Sequence, residues 1–201
     1  MVRDLRVFFV GDSFVAGVGD PEDRGWVGRL AARTHREDLP LTGYNLGVRR
    51  DTSDDVCRRW ATEVAARRAE GCEERLVLSF GVNDTTVEGG VPRVDPARSV
   101  ANLLAVAEGA AATGLPLLVV GPPPVDDPAQ IERIAGLDER FAATCAAAGV
   151  PYVRVVAALL AEPRWMREVR VGDGAHPAAT GYTLLSDLVL PAWRRWIGTG
   201  P

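Results

Sequence analysis

The sequence predicts an α/β fold in which a parallel sheet of five strands is covered by helices on both faces. Short apolar runs suited to buried strands alternate along the whole chain with segments of helical periodicity. A glycine directly follows each of the first four runs, at Gly11, Gly47, Gly81 and Gly121. No internal repeat or linker-like break interrupts the alternation. We therefore expect one domain, residues 1–201.

The first half of the chain is expected to hold three strands and two helices. Residues 5–10 and 76–80 are apolar runs of the kind that forms strands buried on both faces. Residues 41–46 form a weaker run that ends at Gly47. Between these runs, apolar residues recur at helical spacing over 26–31 and again over 53–69, where Val56, Trp60 and Val64 share one face.

The second half of the chain repeats the alternation after a long loop. Residues 85–96 contain two glycines and two prolines and are expected to form that loop. Helices are expected over 97–112, 131–148 and 177–196, and buried strands over 115–120 and 152–156. The run Gly121-Pro122-Pro123-Pro124 ends the fourth strand abruptly.

Composition excludes several classes of function. A net charge of −4 provides no basic footprint for nucleic acid. All 23 basic residues are arginine, and without lysine the chain can form neither a Schiff base with pyridoxal phosphate nor a nucleotide-binding P-loop. Cys57, Cys72 and Cys145 include no close pair, so they predict neither a disulfide framework nor a zinc site.

The N-terminal residues run directly into the first strand, without an apolar stretch and a cleavage site behind it. No apolar run approaches membrane-spanning length. We therefore expect a cytoplasmic protein without stable membrane insertion, and its oligomeric state stays open.

Two histidines are available for a histidine-based mechanism. His35 stands among charged residues and is expected at the surface. His176 lies in Asp173-Gly174-Ala175-His176-Pro177, directly before the last helix. Asp173, three residues earlier, can orient one ring nitrogen and stabilise the imidazolium. The alternative is that Asp173 and Pro177 only start the helix.

A serine follows the first strand in Gly11-Asp12-Ser13. Ligands of parallel sheets bind outside the carboxyl ends of the strands, so Ser13 is placed to act as a nucleophile there. The alternative is a turn serine or a helix cap. Neither the P-loop nor the dinucleotide pattern fits this loop, because Gly17 precedes valine and no third glycine follows Gly19 at the required position.

Candidate donors for a developing oxyanion end the next two strands. Gly47 closes Asn45-Leu46-Gly47, and Asn83 lies in Gly81-Val82-Asn83-Asp84. A glycine N–H and an asparagine amide can together stabilise a tetrahedral oxyanion. Glycine and asparagine are also the ordinary residues of turns, so either motif alone is weak.

Taken together, these motifs resemble those of the SGNH hydrolases, also called GDSL lipases and esterases. The resemblance rests on Ser13, Gly47, Asn83 and the Asp173/His176 pair, and it covers nearly the whole chain. It implies a flavodoxin-like three-layer α/β/α sandwich and hydrolysis of small-molecule esters without a metal or organic cofactor. It implies catalytic Ser13, Asp173 and His176, with an oxyanion hole formed by Ser13, Gly47 and Asn83. The Gly-x-Ser-x-Gly elbow of the larger α/β-hydrolases is absent from the sequence.

The chain departs from the family pattern at two points. Phe14 replaces the usual leucine after the serine and is expected to pack beneath the loop. The second motif usually has another glycine a few residues on, but here Val48-Arg49-Arg50-Asp51 follows Gly47, which would narrow or charge the pocket wall. Asp12 and Asp84 are expected to accept hydrogen bonds that stabilise their loops.

The pocket walls are expected from residues 85–96, residues 122–124 and the segment around Trp165 and Met166, although each fits plain surface or core equally well. An aromatic content of 6% and the lack of a long apolar lid favour short-chain or acetyl esters. Two interpretations fit four arginines of this region, namely Arg49, Arg50, Arg58 and Arg59. They recognise an anionic substrate, or they form solvated faces, as is usual for charged residues.

Three alternative functions stay open at this stage. A carbohydrate acetylesterase or an acyltransferase would use the same triad. A non-catalytic binding module would keep the fold but lack a triad member, and none is missing.

Overall fold

The computed structural model describes residues 3–36 and 38–198 and has a five-stranded sheet at its centre. The strands, in the spatial order β2-β1-β3-β6-β7, are β2 (Leu41–Gly47), β1 (Leu5–Gly11), β3 (Glu73–Ser79), β6 (Leu117–Val120) and β7 (Tyr152–Val153). Every adjacent pair is parallel, and the register places Gly11 beside both Gly47 and Ser79. The parallel sheet predicted from the sequence is confirmed.

Helices cover the two faces of this sheet. They are α1 (Ser13–Ala16), α2 (Gly25–Thr34), α3 (Ser53–Ala65), α4 (Pro96–Ala112), α5 (Pro128–Ala147), α6 (Val156–Leu160), α7 (Pro163–Val171) and α8 (Ala179–Trp196). A separate antiparallel hairpin consists of β4 (Val87–Glu88) and β5 (Val91–Pro92). The longer helices begin at side-chain caps: Asp95 and Asp127 each cap a helix with proline in its first turn, and Thr52 and Asp55 form a capping box on α3.

The core has two apolar layers, one on each face of the sheet. Side chains alternate along a strand, so Val7 and Phe9 of β1 pack in one layer while Phe8 and Val10 pack in the other. The first layer is filled mainly by α2, α7 and α8, with Trp26, Trp165 and Trp193 completely buried. The second is filled by α3, α4 and α5, with Trp60, Leu103 and Phe141 among its members. These layers complete the expected α/β/α sandwich.

Several element boundaries differ from those predicted. Helix α3 ends at Ala65 rather than at residue 69, and a left-handed turn at Gly71 leads into β3. The predicted strand 152–156 pairs with β6 at only two positions, and Val156 already begins α6. The predicted loop 85–96 contains the hairpin β4–β5. Helices α1, α6 and α7 were not predicted; α1 and α6, with four and five residues, are too short to show an apolar period.

The topology places a crevice at one edge of the sheet. The chain runs from β1 to β2 on one side and then to β3 on the other side of β1, so the strand order reverses there. Loops that follow β1 and β3 diverge from such a reversal and leave room for a ligand. Within the described part of the chain, no helix is both long and apolar enough to cross a membrane.

Candidate active site

Ser13 lies at this reversal, two residues beyond the last residue of β1. Asp12 caps the short helix α1 by accepting a hydrogen bond from the Phe14 N–H at Oδ1 (3.0 Å). Ser13 is therefore the first residue of a helix, where main-chain N–H groups have no partner within the helix itself. Its side chain is nearly buried, with 3% of the residue exposed, and it lines a cleft of about 630 Å³.

His176 reaches Ser13 from the loop that precedes α8. The distance from His176 Nε2 to Ser13 Oγ is 2.7 Å, across 163 positions of sequence. The other ring nitrogen, Nδ1, lies 2.8 Å from Asp173 Oδ2. The Phe14 ring packs against the imidazole with 4.9 Å between ring centres, so the predicted packing of Phe14 beneath the loop is confirmed.

Asp173 is held as a hydrogen-bond acceptor. Burial would raise the pKa of its carboxyl, but the N–H groups of His176 and Ala175 and the imidazole lower that pKa to about 2. An ionised carboxylate only accepts, so the proton between Asp173 and His176 resides on Nδ1. His176 Nε2 is then left to accept the Ser13 hydroxyl proton, which is the arrangement that a general base requires.

Asn83 is brought to the same cleft by the loop after β3. Its Nδ2 donates to the main-chain oxygen of Asp51 at 2.9 Å, and this contact fixes the amide plane. An amide nitrogen carries two protons, so a second donor remains for a ligand. The structure thus brings together four of the five residues predicted for the site, namely Ser13, Asn83, Asp173 and His176.

Gly47 does not fit the role expected of it. Its N–H donates to Asn45 Oδ1 at 3.0 Å instead of facing the cleft, and Gly47 is not among the described residues that line the cleft. The glycine is needed for packing: a Cβ atom here would lie 2.1 Å from the main-chain nitrogen of Ala16 in α1. The expectation that the Gly47 N–H completes the oxyanion hole is therefore corrected.

Arg50 occupies the cleft wall three residues further on. Its φ of 72° places it in the left-handed region that favours glycine, although it carries a long side chain. Arg50 lines the cleft, and its carbonyl accepts a hydrogen bond from Arg93 Nη1 at 3.1 Å. Its neighbour Asp51 supplies the oxygen that orients Asn83. The N–H groups of Val48 and Asp51 in this segment donate to Gly11 O (3.0 Å) and Val48 O (3.3 Å). A main-chain donor for a ligand would therefore come from Arg49 or Arg50, which both line the cleft.

Asp12 and Asp84 lie beneath the site as buried acceptors, as predicted. Asp84 Oδ1 accepts from the N–H of Ser53 at the start of α3 (2.7 Å), and Asp12 accepts from Phe14. Burial, and to a lesser extent the nearby carboxylates of Asp84 and Asp51, raise the pKa of Asp12 to about 7 against the lowering effect of the Phe14 N–H.

The walls of the cleft come from three loops. The β2–α3 loop contributes Arg49 and Arg50, and the hairpin segment contributes Thr86, Glu88 and Arg93. The loop between β6 and α5 contributes Val125 and Asp127, and α5 itself contributes Gln130. The other lining residues are Val82, which follows β3, and Gly174 and Ala175, which precede α8. The expectations that residues 85–96 form a wall and that the arginines after Gly47 charge it are both confirmed.

The other two predicted wall segments lie elsewhere. Trp165 is completely buried in α7 and stacks on Phe14, and its Nε1 donates to the Pro124 carbonyl at 3.1 Å. Met166 packs against the same core layer. Within the described residues, neither they nor residues 122–124 reach the cleft surface. These aromatic and proline residues support the wall from behind.

Of the remaining surface predictions, those for His35 and Arg58 are confirmed and the one for Arg59 is wrong. His35 is exposed, and its Nδ1 accepts from the Leu41 N–H. Arg58 is exposed and pairs with Asp55, as expected of a solvated face. Arg59, by contrast, is mostly buried and bonded to two main-chain oxygens, so it is not part of a solvated face.

Gln130 was not identified from the sequence. From α5, its Nε2 lies within 3.0–3.2 Å of Val82 O, Thr85 Oγ1 and Thr86 Oγ1 and so ties down the loop that carries Asn83. A glutamine in the first turn of a helix is too common to have signalled this role.

Comparison with known proteins agrees with the fold. A model of the GDSL-like Lipase/Acylhydrolase family matches residues 9–184. None of the curated protein sequences compared with this chain matches it.

Solved structures that resemble the chain include a member of the lipolytic G-D-S-L family from Veillonella parvula DSM 2008. It has a TM-score of 0.73 and 20% identity over 95% of this chain and 99% of the other. A lipase/acylhydrolase from Enterococcus faecalis has a TM-score of 0.72 and 21% identity over 94% and 95%. A mutant of an acetyl-xylooligosaccharide esterase from Geobacillus Stearmophilus has a TM-score of 0.72 and 16% identity over 96% and 94%.

Proposed function

Because the chain belongs to the GDSL-like lipase/acylhydrolase family, we propose that it hydrolyses carboxylic esters through an acyl-enzyme formed on Ser13. The observation that carries this proposal is the continuous chain of contacts from Ser13 Oγ to His176 (2.7 Å) and from His176 to Asp173 (2.8 Å). Such a chain activates a hydroxyl that is otherwise a weak nucleophile.

Two acyl-transfer steps follow from this geometry. Ser13 Oγ attacks the ester carbonyl while His176 Nε2 takes its proton, and the imidazolium is stabilised by Asp173. His176 then gives that proton to the departing alcohol oxygen, which breaks the ester bond. Water, deprotonated by the same nitrogen, attacks the acyl-enzyme, and the proton returns to Ser13 as the acid leaves.

The oxyanion of each tetrahedral intermediate needs donors on the opposite side of the carbonyl from His176. We assign this role to the Ser13 N–H at the start of α1, to the second amide proton of Asn83 and, in place of Gly47, to the N–H of Arg50. The occupied Gly47 N–H and the left-handed Arg50 in the cleft wall support this exchange. Donors held in place before the reaction are worth several kcal/mol in the transition state.

The cleft favours short acyl groups. The larger apolar side chains that line it are Phe14, Val82 and Val125, whereas the surrounding wall carries three arginines, three carboxylates and Gln130. A long alkyl chain would have to cover these charged groups and desolvate them, which is unfavourable. We therefore propose acetyl or short-chain esters as substrates.

A second candidate is an acetylated carbohydrate, which the same polar wall favours. Guanidinium, amide and carboxylate groups can bond several hydroxyls of a sugar at once. The acetyl-xylooligosaccharide esterase with a similar fold provides a precedent for such a substrate. Acyl transfer to a sugar hydroxyl would use the same acyl-enzyme, and it would appear as acylated product when a sugar is added during turnover.

Hydrolysis of p-nitrophenyl esters from acetate to palmitate tests the proposal. We expect kcat/KM to fall with chain length, and both Ser13→Ala and His176→Ala to abolish turnover. His35→Ala is the matched control, because His35 is exposed, bonds the Leu41 N–H and is not among the described residues that line the cleft. Retention of activity in folded Ser13→Ala would refute the assignment of the nucleophile.

A further inference from the structure

Arg59 of α3 connects the parts of the site that come from three different segments. Its guanidinium uses four of its five N–H donors: Nε bonds Asp51 Oδ2 (2.7 Å), Nη1 bonds Leu46 O (2.9 Å) and Glu63 Oε1 (3.1 Å), and Nη2 bonds Gly11 O (2.8 Å). The side chain is 19% exposed and that of Asp51 is 14% exposed, so this cluster is largely shielded from water.

Two of these bonds hold the ends of one loop, residues 47–51. The Leu46 carbonyl belongs to the peptide group that enters the loop, and the Asp51 carboxylate belongs to the residue that closes it. Between them lies Arg50 in its unfavourable left-handed conformation. A loop that contains such a residue keeps its shape only when its surroundings hold it.

The same guanidinium reaches the other two donor segments. The Gly11 carbonyl, two residues before Ser13, accepts from Arg59 and also from the Val48 N–H at 3.0 Å. The Asp51 residue whose carboxylate Arg59 holds presents its main-chain oxygen to Asn83 Nδ2. Each segment that we assign to the oxyanion hole is therefore attached, directly or through one residue, to Arg59.

We infer that Arg59 is a positioning residue that aims the oxyanion-hole donors by clamping loop 47–51 against the segment that leads to Ser13. This inference rests on the proposed function. Arg59 does not line the cleft among the described residues, so it acts on the reaction through the groups that it holds. A planar guanidinium can bond three oxygens at fixed angles, whereas the ammonium of lysine cannot reproduce that fork.

Steady-state kinetics on p-nitrophenyl acetate with Arg59→Met and Arg59→Lys test the inference. We expect both variants to lower kcat by roughly 10- to 100-fold, as small misplacement of catalytic groups does, with KM changed less than about threefold. The matched control is Arg68→Met, because Arg68 also bonds a carboxylate and a main-chain oxygen, Glu74 and Thr113, but outside the cleft. We expect Arg68→Met to keep the wild-type kcat.

A double-mutant cycle with Asn83→Ala separates positioning from general loss of stability. If Arg59 acts through the oxyanion hole, the loss from Arg59→Met is smaller when Asn83 is already absent, so the two losses are less than additive. If Arg59→Met fails to fold, Arg59→Lys and Asp51→Asn carry the same test. In Asp51→Asn the main-chain oxygen that orients Asn83 is retained.

The outcomes distinguish this inference from the proposed function. Wild-type protein that neither hydrolyses the ester nor is labelled at Ser13 by a fluorophosphonate would refute the proposed function, and the role of Arg59 with it. Active wild type with unchanged kcat in the Arg59 variants, recovery of kcat by lysine, or fully additive losses with Asn83→Ala would refute the role of Arg59 alone.

Discussion

At the scale of single residues, Asn83 depends on a main-chain atom from another loop. Its Nδ2 donates to the Asp51 carbonyl, which leaves its second amide proton for a ligand. We expect Asn83→Ala to lower kcat by roughly 10²–10³, the usual effect of losing one oxyanion donor. Kinetics on p-nitrophenyl acetate measure this loss, and circular dichroism controls for folding. An unchanged kcat would exclude Asn83 from the oxyanion hole.

Substitutions at Arg50 test the left-handed backbone conformation of this residue, whose N–H we assign to the same oxyanion hole. At a φ of 72°, any L-residue other than glycine is strained by roughly 1–2 kcal/mol. We expect Arg50→Gly to be more stable than Arg50→Ala by about 1 kcal/mol in chemical denaturation, because both lose the side chain and only alanine keeps the strain. Both variants keep the N–H and should keep kcat within a fewfold. Equal stability of the two would argue against a left-handed residue 50.

At the scale of elements, α8 begins with a cap supplied by α7. Ala178 offers no side-chain acceptor, and Glu168 Oε2 instead accepts the N–H groups of Ala178 (2.9 Å) and Gly181 (2.7 Å). His176 lies three residues before the first residue of α8, so the cap also anchors the loop that carries His176.

Removal of this cap is therefore expected to affect both stability and turnover. We expect Glu168→Ala to lower the free energy of unfolding by about 1–2 kcal/mol, which is the range for a lost helix cap, and also to lower kcat. Urea denaturation measures the first effect. Glu139→Ala is the control, because Glu139 is exposed and, among the residues that the structure describes, its ion pair is with Arg154 at the surface. If Glu168→Ala costs no more than Glu139→Ala, the cap is not important.

At the scale of the whole molecule, the buried Asp12 and the more exposed Asp173 predict a stability that falls on both sides of an optimum pH. Burial raises the pKa of Asp12 from 3.8 to about 7, so the folded state holds this proton more tightly than the unfolded state does. That contribution is complete below the unfolded pKa and is lost as pH rises through about 7. It corresponds to at most about 4 kcal/mol, since one pKa unit is about 1.4 kcal/mol.

Asp173 acts in the opposite direction on the acid side. Its pKa is lowered to about 2, so the stability that it contributes is present above the unfolded pKa and is lost as pH falls towards 2. We expect Asp12→Asn to flatten the decline of the unfolding free energy between about pH 4 and 7 and to leave the acid limb in place. Asp95→Asn, at an exposed helix cap where asparagine also caps, is the control. Identical slopes over that pH range in wild type and Asp12→Asn would refute the shift.

The sequence alone predicted the parallel sheet, the major helices and four residues that the structure brings together in the cleft, namely Ser13, Asn83, Asp173 and His176. These features follow from local chemistry, because apolar runs, glycine stops and caps act within a few residues of one another. The motifs at Ser13, Asn83 and His176 could be placed at one edge of the sheet, since the carboxyl ends of parallel strands must meet there.

Only the tertiary structure showed that the Gly47 N–H is bonded outside the cleft and which contacts hold the loop that contains Arg50. Gly47 and Arg50 lie three positions apart in one loop. Our choice of Arg50 rather than Gly47 as an oxyanion donor depends on two tertiary contacts: Gly47 packs against α1, and the Asn45 side chain accepts the Gly47 N–H. Likewise, Arg59 resembles the exposed Arg58 in sequence, but it bonds the ends of two strands that are distant along the chain. Such contacts join segments separated by up to 48 positions, and no local pattern records them because each depends on how the strands are ordered in the sheet.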